Sequence, residues 1–280
     1  MSVEEWIDLS AGLDLDGLEF YWGFTPWQDP AKLDALRCRV EDQGRSIPMM
    51  CFAPDYTHPD PAVRRAEMER QRRAIEATAR LGGSFCRVLS GQRRSEVPLT
   101  EGIAWAAACI SELLPFAAEH GITLILENHY KDAYWQFPEF AQQMDDFVTL
   151  LRAIPDHPNF GVNFDPSNAI IAGDDPLELL EAVKERVVTM HASDRYLEGG
   201  TLDDLMKMEA DPYSGYASIV RHGIIGQGLN DYDRIFSTLR AAGFSGWISI
   251  EDGEDPELGM AHLAESVRFL RERMAAHGLP

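Results

Sequence analysis

The sequence predicts an α/β fold, a (β/α)8 barrel of the TIM type in which parallel strands are surrounded by helices. Short apolar runs rich in β-branched residues alternate with longer helical segments, and a glycine follows most of those helical segments. The length of 280 residues and the lack of a linker favour a single barrel domain over residues 1–280. An open doubly wound sheet would need a glycine-rich phosphate loop after its first strand. Gly226-Gln227-Gly228 is too short and lies too far along the chain for that purpose.

Helices are predicted from capping side chains and closing glycines. Asp29 precedes Pro30 and Asp60 precedes Pro61, and each pair combines a helix cap with a proline in the first turn. The predicted helices are residues 3–11, 30–43, 60–81, 99–120, 137–154, 176–186, 231–242 and 257–277.

Strands are predicted where apolar runs lie between these helices. The predicted strands are residues 17–23, 47–53, 85–89, 122–127, 160–164, 187–190 and 246–250. They number seven, whereas a closed barrel of this type has eight, and the chain starts on a helix. Because an open seam would leave strand groups unpaired, we expect the first strand to lie upstream of Met1.

The chain is strongly acidic, with 46 Asp and Glu residues against 25 Lys and Arg residues and a formal net charge of −21. Such a charge repels phosphate backbones, which argues against a nucleic-acid partner, and it favours cations near clustered carboxylates. No apolar run approaches the roughly 18 residues of a membrane span, and the N-terminus does not resemble a signal peptide. We therefore expect a cytoplasmic protein with no membrane partner. The four cysteines are predicted to be reduced core residues: Cys38, Cys51, Cys86 and Cys109.

Polar residues of metal-ligand type end each of the last four predicted strands. They are Glu127, Asp165, His191 and Glu251. Because the carboxyl ends of barrel strands converge on one face, we expect these side chains to surround one point. Two Glu, one Asp and one His form an oxygen-rich set that suits Mn²⁺, Mg²⁺ or Co²⁺ better than a structural zinc ion, with Zn²⁺ as a further alternative.

Other residues are candidates for catalysis or substrate binding. Side chains alternate along a strand, so His129 points the same way as Glu127 and is either an acid/base group or a loop hydrogen-bonding residue. Arg195 either holds a substrate hydroxyl, carboxylate or phosphate, or forms a surface salt bridge. Trp22 belongs to an aromatic cluster that suits the face of a sugar or simply fills the core.

The ligand motifs resemble those of the xylose isomerase-like barrel superfamily, and the resemblance covers nearly the whole chain. The motifs are Leu-Glu-Asn at Glu127, Asn-Phe-Asp-Pro-Ser-Asn at Asp165, His-Ala-Ser-Asp at His191 and Ile-Glu-Asp at Glu251. That group includes sugar isomerases, ketose 3-epimerases, inosose dehydratases and endonuclease IV. The resemblance implies that the four residues bind one divalent ion and that the chain is a metal-dependent sugar or sugar phosphate isomerase or epimerase.

The same resemblance implies a mechanism. A divalent ion bound to two adjacent sugar oxygens favours proton loss from the carbon between them by stabilising an ene-diolate. The positions matching Glu127 and Glu251 remove and return the proton in the epimerases of this group.

The sequence also departs from parts of the superfamily. Asn168 stands where ketose 3-epimerases have a histidine, which alters the substrate contacts expected there. The predicted strand at residues 85–89 lacks the histidine that the trinuclear zinc site of endonuclease IV needs. A lyase or dehydratase acting on a keto-sugar, a cyclitol or a 3-keto-glycoside is the alternative, and a non-catalytic carbohydrate-binding barrel is the second alternative.

A long segment, residues 192–230, separates His191 from the next predicted helix. Segments of this length in compact domains are usually lids or binding loops. Its large side chains are expected to pack over a sugar or against a second subunit, as in a homo-oligomer: Tyr196, Met206, Met208, Tyr213 and Tyr216.

Overall fold

The computed structural model describes residues 1–205, 207–208, 211, 215–251 and 257–280. Within it the chain forms two compact units. The first comprises Met1–Glu127 and Thr149–Gly161, and the second comprises Asn128–Val148 and Val162–Pro280. The prediction of a single domain stays a prediction.

The described helices follow the predicted order closely. They are α1 (Val3–Ser10), α2 (Pro30–Glu41), α3 (Pro61–Arg80), α4 (Leu99–Glu119), α5 (Met144–Ala153), α6 (Pro166–Ala172), α7 (Pro176–Val183), α8 (Leu202–Leu205), α9 (Tyr232–Ala241) and α10 (Gly259–His277). A 3-10 turn, Lys184–Arg186, follows α7. The predicted caps are confirmed, because the Asp29 carboxylate accepts from the backbone N–H of Ala31 and Lys32 and the Asp60 carboxylate accepts from that of Ala62.

The described strands include all seven that the sequence predicts. They are β1 (Phe20–Tyr21), β2 (Met49–Cys51), β3 (Phe85–Val88), β4 (Thr123–Glu127), β5 (Phe160–Phe164), β6 (Val187–Ala192), β7 (Arg195–Leu197), β8 (Val220–His222) and β9 (Trp247–Ile250). Strand β6 runs two residues further than predicted, so His191 lies within the strand rather than after it.

In the first unit, β1, β2, β3 and β4 pair in chain order, and every pairing is parallel. Consecutive residues of β2 and of β4 are buried, from Met49 to Cys51 and from Leu124 to Glu127. Burial of consecutive side chains means that both faces of the strands are covered, as the apolar runs predicted. Helix α4 is long and apolar enough to cross a membrane by length and composition alone. Half of its most apolar stretch is buried in this structure, as in a core helix.

In the second unit, β5 pairs with β6 and β6 pairs with β9, again in parallel. Among the described residues, seven strands thus take part in parallel pairing, four in the first unit and three centred on β6 in the second.

Further features differ from the predictions. Helix α6 directly after Asp165 was missed, as were the short helix α8 and the strands β7 and β8 in the long segment. Helix α5 begins at Met144 rather than at residue 137 because the Met144 N–H is capped by Asp174, a residue 30 positions away. Cys51, Cys86 and Cys109 are buried cysteines that take part in no disulfide within the described residues, as predicted, but Cys38 is exposed because it lies on an outward position of α2.

The long segment contains a small antiparallel hairpin of its own. Strand β7 pairs with β8 through Arg195 and His222 at one end and Leu197 and Val220 at the other. A separate apolar cluster supports the hairpin, and its buried members are Ile170, Leu205, Ala217 and Val220. Burial of these side chains gives the hairpin a stable position on α6.

Asp194 fixes the chain that returns from the hairpin. Its Oδ2 accepts from the backbone N–H of Gly226 and Gly228, and its Oδ1 accepts from that of Arg195 and Asn230. Burial raises the pKa of Asp194, although the four backbone donors act in the opposite direction. The Gly-x-Gly sequence, unsuited to a phosphate loop, therefore wraps a buried carboxylate.

We predict that Gly228→Ala destabilises the protein. A Cβ at this position would lie 2.3 Å from Asp194 Oδ1 and 2.4 Å from the carbonyl oxygen of Arg195. Overpacking of this kind costs about 1–3 kcal/mol of unfolding free energy, which urea titration measures. Gly12→Ala is the matched control, because a Cβ there meets nothing within 4 Å. If the two variants unfold at the same urea concentration, Asp194 does not hold the returning chain tightly.

Candidate functional site

Asp165 stands directly after β5 and serves as the N-cap of α6. Its Oδ1 accepts three hydrogen bonds, from the backbone N–H of Ser167 at 2.8 Å, the backbone N–H of Asn168 at 3.0 Å and the Ser193 hydroxyl at 2.8 Å. The side chain is buried, so these donors replace the water that a carboxylate would otherwise keep. They also fix the direction in which the carboxylate points.

Asn128 holds the backbone of Asp165 in place. Its Nδ2 donates to the Asp165 carbonyl oxygen at 2.6 Å, and its Oδ1 accepts from the Asp165 N–H at 2.9 Å. The amide thereby imitates one rung of a β-ladder after the strand has ended. The sequence alone assigns Asn128 no role, because a contact to a residue 37 positions away leaves no local signal.

Asp165, His191 and Glu251 converge in the second unit. The Nδ1 of His191 lies 3.3 Å from Glu251 Oε2, and ligand atoms from all three residues lie within 4.8 Å of one another. Donors that share one ion at bond lengths of 2.0–2.6 Å lie at most about 5 Å apart, so this spacing fits a single divalent cation. Asp165 and His191 are buried, whereas the Glu251 side chain is 52% exposed.

Glu127, the fourth predicted ligand, is the last residue of β4 in the first unit. Its Oε2 accepts a hydrogen bond of 2.7 Å from Nη1 of Arg87, and both side chains are almost completely buried. Arg87 Nε donates to the carbonyl oxygen of Phe52 at 3.2 Å. Glu127 is therefore held by a charged hydrogen bond at a fixed position in the sheet. Sequence reasoning missed Arg87, since an arginine inside an apolar strand gives no indication of its partner.

His129 and Tyr130 follow in the second unit. His129 is buried, and its ring stacks on Tyr130 with the ring centres 5.1 Å apart. Burial and then the negative charge of Glu251 raise the pKa of Tyr130 well above its ordinary value, while Arg195 acts in the opposite direction. The pKa of Tyr130 therefore depends on the charges of Glu251 and Asp165 as well as on that of Arg195.

The predicted substrate-binding residues occupy different surroundings. Arg195 is buried on β7, with its guanidinium carbon 5.1 Å from the centre of the Tyr216 ring, so the surface salt bridge considered for it is wrong. Asn168 is buried in the first turn of α6. Trp22 lies in the first unit and packs edge-on against Phe52 at 5.5 Å.

The predicted lid residues are only partly described. Tyr196 and Met208 are exposed. Met206 and Tyr213 lie outside the described residues, as does Asp252 of the Ile-Glu-Asp motif.

A parallel β/α fold with carboxylates and an imidazole at its strand ends is typical of the α/β barrel class, in which functional residues lie at the carboxyl ends of the strands. The family model described as the xylose isomerase-like TIM barrel matches residues 7–273, and the chain belongs to this family. The resemblance stated from the motifs and the fold class are therefore confirmed.

Relatives of several activities share this similarity. The inosose dehydratase of Bacillus thuringiensis (strain Al Hakam) is 23% identical over 162 residues, which cover 56% of this chain and 50% of that protein. The match thus spans about half the length of that curated relative. A D-tagatose 3-epimerase-like protein has a similar structure, with a TM-score of 0.78, 20% identity, and coverage of 99% of this chain and 95% of that one. The IOLI protein with a binding zinc atom has a TM-score of 0.74 and 16% identity, with 99% and 93% covered.

We predict that Arg87→Met is strongly destabilising. Removal of one partner of a buried ion pair leaves the other charge uncompensated, which costs about 3–5 kcal/mol of unfolding free energy. Arg37→Met is the control, because its exposed pair with Glu41 is worth less than about 1 kcal/mol. Chemical denaturation of the metal-free variants measures both values. Equal losses in the two variants would show that Arg87 does not compensate a buried charge.

We also predict that the metal-free protein takes up one Mn²⁺ per chain and that His191→Ala weakens this binding. Loss of a ligand atom should lower the affinity more than the roughly 10- to 100-fold that loss of an outer partner causes. Isothermal titration calorimetry measures the dissociation constant, with His262→Ala on α10 as the control. Unchanged affinity in His191→Ala would remove His191 from the ligand set.

Proposed function

We propose that this protein is a divalent-metal-dependent sugar or sugar phosphate isomerase or epimerase that works by proton transfer. The observation that carries the proposal is the convergence of Asp165, His191 and Glu251 on a spacing that fits one ion. The epimerase-like structural neighbour, which has the same fold along nearly the whole chain, supports this choice.

The donor set fits a divalent cation. Asp165, His191 and Glu251 would hold it, with Glu127 as the proposed fourth ligand. Glu127 directly precedes Asn128, whose amide binds the backbone of Asp165. Three carboxylates and one imidazole favour Mn²⁺, Mg²⁺ or Co²⁺, and the zinc atom of the IOLI protein keeps Zn²⁺ as the alternative. When bound, the ion would polarise a hydroxycarbonyl group and favour loss of the proton beside it.

Glu251 and Glu127 are the proposed acid/base pair, and they are held differently. Glu251 is half exposed, so its carboxylate can reach a substrate proton with one oxygen while the other stays beside His191. Glu127 is buried and positioned by Arg87 through Oε2, which fixes the orientation of Oε1. His129 is proposed as a further acid/base group, because its ring is held by stacking on Tyr130.

Three residues are proposed to bind substrate. Arg195 offers a guanidinium, Asn168 an amide next to Asp165, and Trp22 an aromatic surface for a sugar face. A sugar or sugar derivative is the proposed small-molecule partner. The cytoplasmic location and the homo-oligomeric state are also proposals, and the exposed side chains of Tyr196 and Met208 support the second.

A dehydratase is the second candidate, favoured by the similarity to inosose dehydratase. The same proton removal would begin the reaction, and a hydroxyl group on the next carbon would then leave as water. The residues proposed for proton transfer are the same, so product analysis rather than residue identity separates the two activities.

The test is incubation with Mn²⁺ in deuterium oxide against a panel of ketoses, ketose phosphates and inososes. An isomerase or epimerase yields an isomer of the substrate in which deuterium has replaced one hydrogen. A dehydratase yields a product that has lost water. Mass spectrometry distinguishes the two. If no compound exchanges although Mn²⁺ binds, the barrel is a binding protein and the proposal fails.

For a substrate found in this way, we predict that Glu127→Gln or Glu251→Gln lowers deuterium exchange by about 10²–10⁴-fold, the usual contribution of a positioned base. Metal affinity should fall much less, because the amide keeps one oxygen. Glu272→Gln on the exposed side of α10 is the matched control. If Glu127→Gln exchanges deuterium at the wild-type rate while His129→Asn does not, the base is His129. That result would favour the alternative function, a lyase or dehydratase.

A further inference from the structure

The guanidinium of Arg195 is buried, and among the described residues two of its nitrogens have no hydrogen-bonding partner. The residue is 3% exposed, and Nε and Nη1 have no acceptor within the described part of the chain. Buried arginines are almost always paired, because removal of the charge from water costs several kcal/mol. The neighbouring arginine of the hairpin shows the ordinary arrangement, since Arg221 is exposed and forms an ion pair with Glu198.

Aromatic rings compensate only part of this cost. The guanidinium carbon lies 5.1 Å from the centre of the Tyr216 ring and 5.9 Å from that of Tyr130. Contacts of this kind contribute about 0.5–2 kcal/mol. The two ring centres are themselves 5.6 Å apart, so the guanidinium lies beside this ring pair, and its Nε and Nη1 groups keep their N–H groups available for an acceptor.

The position of Arg195 relates it to the proposed metal ligands of the second unit. Tyr130, which is one of the rings beside Arg195, experiences the charges of Glu251 and Asp165 as well. Glu127 is paired with Arg87, and Asp194 accepts from four backbone N–H groups. One divalent ion would neutralise Asp165 and Glu251, so none of these four carboxylates provides a direct counter-charge for the Arg195 guanidinium. A neutral sugar would leave the Arg195 guanidinium without a counter-charge, whereas an anionic sugar would provide one.

The hairpin holds Arg195 at this place. Its backbone N–H donates to Asp194, and its carbonyl oxygen accepts from the N–H of Leu229 at 2.8 Å. The apolar cluster under β7 and β8 fixes the strand itself. An arginine positioned in this way is preorganised for a ligand rather than free to turn towards solvent.

We infer that Arg195 binds an oxyanion, a carboxylate or a phosphate, carried by the substrate, so that the substrates are acidic sugars or sugar phosphates. This inference rests on the proposed function, because it assigns the substrate class of that site. Tyr130 and Tyr216 act as positioning residues because their rings, which contact each other, both lie beside the guanidinium.

The experiment compares charged and neutral probes on the wild-type protein, Arg195→Met and the control Arg221→Met, all loaded with Mn²⁺. The probe pairs are gluconate with glucitol and glucose 6-phosphate with glucose, and calorimetry measures the affinities. Arg195→Met loses a hydrogen bond to a charged group, so its affinity for the anion that occupies the site, gluconate or glucose 6-phosphate, should fall about 10- to 100-fold. The affinities of Arg195→Met for glucitol and glucose, and all affinities of Arg221→Met, should change less than about threefold. The probe pair whose anion loses affinity shows whether Arg195 binds a carboxylate or a phosphate.

Two further measurements keep this test independent of folding and of the proposed function. The dissociation constant for Mn²⁺ should be unchanged in Arg195→Met, so a failure to bind metal would count against the proposed function alone. The Tm of ligand-free Arg195→Met should equal or exceed that of the wild type, because Arg195 forms no ion pair with any residue that the structure describes. A lower Tm, or an equal loss of neutral and anionic probes, would overturn the inference and make Arg195 a structural residue.

Discussion

The hydrogen bonds around Asp165 are the constraint on which the site depends. A carboxylate at the end of a buried strand is stable only if other groups replace its water. Two backbone N–H groups of α6 and the Ser193 hydroxyl do so at a single oxygen, Oδ1. Asn128 meanwhile holds the backbone of the same residue. The start of α6, the end of β5 and the carboxylate of Asp165 are therefore held together by the same hydrogen bonds. A change in the helix or in the strand end would move the carboxylate.

The buried charges near the strand ends are compensated in three ways. Backbone donors surround Asp165 and Asp194, and a guanidinium pairs with Glu127. Arg195 has only aromatic neighbours for two of its nitrogens among the described residues. The first two arrangements use hydrogen-bond donors of the protein itself and fix structure. We propose that a ligand completes the third, and for this reason the proposed substrate class rests on Arg195 rather than on the metal-type residues.

The sequence could predict what depends on local pattern. Strand Phe160–Phe164 was predicted with its observed bounds, and the ligand-type residues follow from the same apolar runs. The start of α5 was wrong, because its first N–H is capped by Asp174 from 30 positions away. The partner of Arg87 and the isolation of Arg195 also depend on tertiary contacts. The periodicity of apolar residues indicates which side chains are buried, but it does not indicate which distant residues they contact.

A crystal structure with Mn²⁺, with the ion located by its anomalous scattering, tests the central claim most directly. The account predicts one ion with ligand atoms of Glu127, Asp165, His191 and Glu251 about 2.0–2.6 Å away. An ion bound elsewhere would contradict it. So would any two of these side chains more than about 8 Å apart, a gap that no single ion at those bond lengths can bridge.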